Sequence, residues 1–306
     1  MVPASGRALK ADYFVRFYDL ARGIHSPLSL FQPLLGAIIS LRAMPSSRVL
    51  LLGLIAATAG YFAVFSLNDI LDRKTDRKSI EIGKAKRDKH DIGVTVFKHP
   101  LARGEISLAA AVTWVSLLTA VSGFFAYLLN PLCLLLFAGC VILETVYCLM
   151  RTVSWTKTIV TGIMVAMGGL AGWVAVAPLT LAVVPFFLFL AFWEIFGRNL
   201  ANDLADVESD KVVGLRTVAT TFGNRTSAAA ILIGSWAIVI VVLTLPIVPT
   251  ARLVGSAIAI WAMGIPSIAL VKAPTSIQAS TYFNRASLVP MLIFVALLPF
   301  LVLGYL

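Results

Sequence analysis

Apolar residues fall in blocks near 28–44, 49–68, 106–128, 131–150, 158–177, 179–197, 227–246, 252–271 and 287–306. Each block approaches the roughly 20 residues that one helix needs to cross a bilayer. Turn residues separate them: Pro45-Ser46-Ser47, Asn130-Pro131, Ala177-Pro178, Pro246 to Pro249 and Ala273-Pro274. The pattern predicts an all-α integral membrane protein, a nine-transmembrane-helix bundle. Pro185 and Pro266 lie inside blocks and predict kinks, which a bundle tolerates because neighbouring groups re-satisfy the backbone. The first block begins near Pro27 with no small-residue cleavage pattern after it. It is read as a retained span rather than a signal peptide.

Composition agrees with this reading. Of 306 residues, 59% are hydrophobic and 13% charged, with mean hydropathy +0.92. A soluble domain carries roughly a quarter charged residues. A soluble enzyme, a disordered chain and a disulfide-stapled secreted domain are therefore excluded. Cys133, Cys140 and Cys148 share one apolar block without CxxC spacing and read as small core or lipid-facing residues. His25, His90 and His99 have no metal-ligand spacing, so no zinc site is expected. His25 is a candidate contact at a cavity mouth, and His90 and His99 read as loop residues.

The charges sort by side. With the N-terminus in the cytoplasm, every Lys and Arg except Arg42, Arg48 and Arg252 falls on that side. The positive-inside rule favours this arrangement. It also explains the net charge of +10 without nucleic acid. The basic stretch from Arg73 to Arg103, including Lys84 to Lys89, reads as a topology signal and a contact for anionic lipid headgroups. The division is then 1–27 as a cytoplasmic N-terminal segment and 28–306 as one transmembrane domain. Loops 69–105 and 198–226 would cap an active site on the cytoplasmic side.

Two windows carry the chemistry. Asn68-Asp69-Ile70-Leu71-Asp72-Arg73-Lys74-Thr75-Asp76 ends the second span, and Asn202-Asp203-Leu204-Ala205-Asp206-Val207-Glu208-Ser209-Asp210 follows the sixth. Both read N-D-x-x-D-x-x-x-D. Positions i, i+3 and i+7 share one helix face. Each window therefore projects Asp69, Asp72, Asp76 or Asp203, Asp206, Asp210 into a common space. Six converging carboxylates repel, and divalent cations resolve the repulsion. Mg²⁺ takes oxygen ligands and is commonly shared between carboxylates and substrate phosphates. Arg73, Lys211 and Arg216 follow the windows closely enough to hold phosphate oxygens.

Glu144 and Glu194 are the only acids inside the spans. Intramembrane charges are costly and usually functional. Glu194, Arg198, Asn202, Asp206 and Asp210 recur every four residues as one polar stripe. Glu194 reads as a partner of Arg198 or a contact for an acceptor. Glu144, Tyr147 and Arg151 share a face of the fourth span and read as cavity lining or interhelical packing.

These residues resemble the UbiA superfamily of intramembrane prenyltransferases. The resemblance rests on both Asp windows and their order. It extends to Pro100-Leu101-Ala102-Arg103-Gly104-Glu105-Ile106-Ser107, to Tyr147-x-x-x-Arg151 and to Gly214-x-Arg216-Thr217-x-Ala219-x-x-Phe222-Gly223. Arg22-Gly23-Ile24-His25-Ser26 is similar to the family's opening of the first span. The chain departs from the pattern at His99, where the family usually has Arg, and has Arg for Lys at 151 and 216.

The resemblance implies a nine-helix bundle binding an isoprenoid diphosphate through two or more Mg²⁺ ions on the six aspartates. Tyr147 and Arg151 would join them in catalysis. Arg22, Asn68, Arg73, Arg103, Glu144, Glu194, Arg198, Asn202, Lys211 and Arg216 would bind substrate. The implied reaction transfers the prenyl group to a small acceptor, by family analogy aromatic. A membrane terpene cyclase without acceptor is the alternative, and a phosphoribosyl-type transferase is a further rival. A non-enzymatic cation channel would carry its acids at the bilayer midplane, and here they crowd one edge. Oligomeric state stays open.

Overall fold

The computed structural model describes residues 6–23, 26–81 and 99–306, all helices and connections. His25, His90 and the run Lys84 to Lys89 fall outside these residues. Within them, eight helices are long and apolar enough to cross a membrane. In chain order the helices are α1 (Gly6–Leu20), α2 (Ser26–Leu41), α3 (Ser47–Glu81), α4 (Leu108–Leu129), α5 (Pro131–Met150) and α6 (Lys157–Val174). There follow α7 (Val183–Ala205), α8 (Val207–Val213), α9 (Val218–Phe222), α10 (Asn224–Leu243), α11 (Pro249–Lys272) and α12 (Ser276–Val302).

The expected first span is α2, an apolar helix shorter than the other eight. Its position is set by close packing on α6. A Cβ at Gly172 would overlap the Pro33 carbonyl, and one at Gly36 would overlap the Gly169 carbonyl. Small residues at such contacts let membrane helices approach closely, where apolar association has no water to drive it.

Side-chain caps start several helices, one of them at the expected Asn130-Pro131 turn. Ser107 accepts from the Ala110 N–H at 3.2 Å, and Asn130 accepts from the Leu132 N–H at 2.9 Å ahead of Pro131. Asn130 also donates to the Val174 carbonyl at 2.9 Å, tying this turn to the end of α6.

Pro185 makes no kink. It sits in the first turn of α7, where its missing N–H would have no partner anyway. Pro266 does mark an irregularity: a π turn, Ile260–Gly264, directly precedes it in α11.

α3 packs on α4 and α5, α5 on α6, α6 on α2 and α7, and α7 on α10 and α12. α10 packs on α11, α11 on α12, and α12 returns to α2. The helices thus enclose a central space. Leu20, at the end of α1, is buried in one cluster with Leu101, Ile106 and Ala111. The end of α1 is therefore packed against the turn before α4 and the start of that helix.

Candidate active site

Two helices bring their acids to the same height, and helix length explains why. At 1.5 Å per residue, α3 is about 52 Å long, against a hydrocarbon core of about 30 Å. Counting roughly 20 residues from Ser47 reaches Asn68, and the same count from Val183 reaches Asp203. Both windows begin where their helices leave the hydrocarbon.

A cavity of about 1070 Å³ opens between them. Asp69 and Asp76 line it from α3, and Asp206 and Asp210 from the junction of α7 with α8. Asp72 and Asp203 do not line it. Asp72 receives a hydrogen bond from Arg151, and Lys157 donates to both oxygens of Asp203 at 3.0 Å. Arg22 donates to Asn68 at 2.7 Å and lies 3.4 Å from Asp69. Asn68 in turn donates to Glu144 at 2.6 Å. His99 Nδ1 lies 3.0 Å from Asp76 and 3.7 Å from Asp69.

The protonation of the mouth follows from these contacts. Burial alone would lower the His99 pKa, but the facing carboxylates of Asp69 and Asp76 outweigh it and hold it up at about 9. Burial raises Asp210 to about 8, helped by the like charges of Asp203 and Asp206. Burial opposes the charge on Arg22 and on Arg151, yet Asp69 and Asp72 respectively hold both above the ordinary value.

The donor set suits a hard divalent cation. Asp69, Asp76 and His99 each offer a ligand atom, all within 4.8 Å of one another. Carboxylate oxygens predominate across the mouth, as Mg²⁺ prefers.

A family model for the UbiA prenyltransferase family matches residues 29–304. The chain belongs to that family. It is a prenyltransferase and a multi-pass integral membrane protein. It is 28% identical over 232 residues to a 4-hydroxybenzoate octaprenyltransferase of Shewanella amazonensis, covering 72% of this chain and 71% of that protein. The apo structure of a UbiA homologue from Aeropyrum pernix K1 shares the fold, with TM-score 0.69, 21% identity and coverage of 90% and 97%. A UbiA homologue from Archaeoglobus fulgidus bound to GPP and Mg²⁺ also shares it, with TM-score 0.66, 20% identity and coverage of 92% and 99%.

In this prenyltransferase the polar stripe runs from α7 across the junction into α8: Glu194, Arg198, Asn202, Asp206 and Asp210 all line the cavity. In a straight α-helix a four-residue spacing drifts by about 40° per step. The π turn at Trp193–Asn199 rotates less per residue and counters that drift. Glu194 and Arg198 pair at 3.0 Å, as their spacing suggested. Glu144, Tyr147 and Arg151 also line the cavity.

Four expected phosphate contacts lie elsewhere. Arg73 and Arg103 line a separate surface cleft with Lys74 and Arg77. Arg73 follows Asp72 by about 100° of helix rotation, which turns it off the acidic face. Lys211 is exposed and pairs with Glu208 at 3.0 Å. The Arg216 side chain is exposed, while its backbone N–H donates to the Arg151 carbonyl at 2.8 Å. Gly214, at φ +87°, makes the turn that brings it there.

Two participants were missed in the sequence. Lys157 was not singled out, yet it is 1% exposed at the start of α6. A cation at a helix N-terminus opposes the helix dipole and so calls for an acidic partner, which was the available signal. His99 read as a loop residue, which it is, but it reaches into the acidic mouth. Its place in a segment that otherwise follows the family pattern was the signal.

Proposed function

We propose that this prenyltransferase moves a prenyl group from an isoprenoid diphosphate to a small aromatic acceptor, with Mg²⁺, at the cytoplasmic edge of the membrane. The observation that carries this reading is the pair of acidic rows facing each other across one cavity mouth. The relatives' names and the GPP- and Mg²⁺-bound neighbour support it. The Lys and Arg asymmetry supports the cytoplasmic side.

Asp69, Asp76, Asp206 and Asp210 would hold Mg²⁺ and, through it, the diphosphate. Mg²⁺ bound there supplies neutralisation of charge on the departing diphosphate. Arg151 and Lys157 neutralise Asp72 and Asp203, so the two acids that face away do not add to the repulsion. Arg22 stands beside Asp69, ready to donate to a phosphate oxygen. The C1–oxygen bond breaks with its electrons going to the diphosphate, and an acceptor carbon or oxygen captures the allylic cation and gives up its proton to the released diphosphate or to water. Below the mouth the lining turns apolar, through Phe65, Val64, Leu54, Leu50 and Val49, and excludes water from that cation. The lining follows α3 for about 40 Å from Asp76 to Val49, room for a long tail.

The test is turnover in nanodiscs with Mg²⁺, a range of prenyl diphosphates and aromatic acceptors. Diphosphate release that requires both Mg²⁺ and an acceptor is expected. Release with a cyclised product and no acceptor would replace this reading with a terpene cyclase.

A further inference from the structure

Midway down the cavity the apolar lining is interrupted. Gln32 on α2 is 1% exposed, lines the cavity and accepts from the Tyr61 hydroxyl at 2.8 Å. The Tyr61 contact uses the amide oxygen, so the amide nitrogen is the donor this side chain can offer to a ligand in the cavity. Gly168 faces the Tyr61 hydroxyl, and a Cβ there would come within 3.3 Å of it. Glu194 and Arg198 are electrostatic neighbours of Tyr61 and line the same cavity.

Arg198 is fixed in place. It pairs with Glu194 at 3.0 Å, and its guanidinium lies 5.2 Å from the Trp193 ring and 5.6 Å from the Phe283 ring. Its Nε is buried without a hydrogen bond. By helix rise, Tyr61 lies about 12 Å along α3 from Asp69. That is the depth of a small ring whose reacting edge faces the diphosphate end of the donor.

The charge balance of this group is informative. Gln32 and Tyr61 are neutral, and Glu194 cancels Arg198. Around the mouth, Arg22, His99, Arg151 and Lys157 each stand within ion-pair distance of an aspartate. Among the described residues no cation at acceptor depth is left to neutralise a second anion. An anionic acceptor would be desolvated there against an excess of carboxylates.

We infer that Gln32, Tyr61, Glu194 and Arg198 form the acceptor's polar cradle, and that its zero net charge selects an uncharged hydroxyl- or carbonyl-bearing ring over a carboxylate- or phosphate-bearing one. The inference rests on the transferase reading above and narrows its acceptor.

The probes are hydroquinone and 4-hydroxybenzoate, a pair differing by hydroxyl against carboxylate. Binding of each is measured to the nanodisc protein with Mg²⁺ and geranylgeranyl S-thiolodiphosphate, and again without the thiolodiphosphate. Hydroquinone is expected to bind at least about tenfold tighter than 4-hydroxybenzoate. Gln32→Leu and Tyr61→Phe should each weaken hydroquinone by about tenfold and leave thiolodiphosphate affinity unchanged. Glu194→Gln, which makes the cradle cationic, should narrow or reverse the preference. Tighter binding of 4-hydroxybenzoate by the wild-type protein overturns the inference. So does binding of neither probe, or indifference of hydroquinone to both Gln32→Leu and Tyr61→Phe. Loss of thiolodiphosphate binding with the hydroquinone preference intact would instead count against the transferase reading alone.

Discussion

Lys157 holds both carboxylate oxygens of Asp203 at 3.0 Å, with both residues buried. Arg151, at the other end of the same short connection between α5 and α6, holds Asp72. One loop therefore braces one acid from each Asp row. It fixes the spacing of α3 and α7 across the cavity mouth.

Removing one partner of such a pair leaves a buried charge uncompensated. Lys157→Met should cost about 3–5 kcal/mol, read as a fall in thermal unfolding temperature in detergent. The double variant Lys157→Met, Asp203→Leu should regain much of that stability while staying inactive. A double variant no more stable than the single one would refute the bracing role.

The two kinds of aspartate should separate in a second experiment. Asp210→Asn removes a cavity-lining carboxylate whose charge burial disfavours, and should lower kcat/KM by about 100-fold with little loss of stability. Asp72→Asn leaves Arg151 without its partner and should cost about 1–3 kcal/mol. Titration of Mg²⁺ binding alongside thermal melts checks both. Equal losses of stability in the two variants would contradict the division.

Stability of the metal-free protein should depend on pH. His99 is held up at about 9, above its ordinary 6.5, so its contribution is full below 6.5 and is lost as pH rises through 9. Asp210, raised from 3.8 to about 8, favours its protonated form in the fold. Its ionisation therefore removes stability between those values. Both effects make the metal-free protein less stable as pH rises from 6.5 to about 8, and the His99 effect continues to about 9. Cation binding at the mouth displaces protons, so added Mg²⁺ should raise the unfolding temperature more at pH 8.5 than at pH 6. His99→Gln should flatten the metal-free profile.

Gly172→Ala should cost about 1–3 kcal/mol, because the added methyl meets the backbone of Pro33 and pushes α2 off α6. Gly53→Ala, where an added Cβ meets nothing within 4 Å, is the control and should be nearly neutral. Thermal melts of the two variants check this directly.

Much of the site was legible because its signals are periodic. The i, i+3, i+7 spacing of the aspartates and the four-residue stripe from Glu194 to Asp210 both encode helix faces. Residues whose roles come from contacts between helices were not legible. Lys157 stands 46 positions from Asp203, and Gln32 stands 29 from Tyr61. A lone Lys in a connection, or a lone Gln in an apolar block, carries no spacing signal. Nearness in sequence also misled: Arg73 and Lys211 follow the acidic windows, but helix rotation points them away from the cavity.

The sequence by itself determined the helical membrane fold, the sidedness of charge and the two acidic rows. These depend on hydrophobic run length, loop charge and helical period, all local properties of the chain. Only the tertiary structure decided which aspartates face the cavity and which are braced. It also decided that His99 enters the mouth and that Gln32 meets Tyr61. The physical reason is that an ion pair or a buried hydrogen bond is set by how helices pack against one another. That packing arises from side-chain shape along whole helix faces, as where Gly172 admits Pro33, and no single window of the chain contains it.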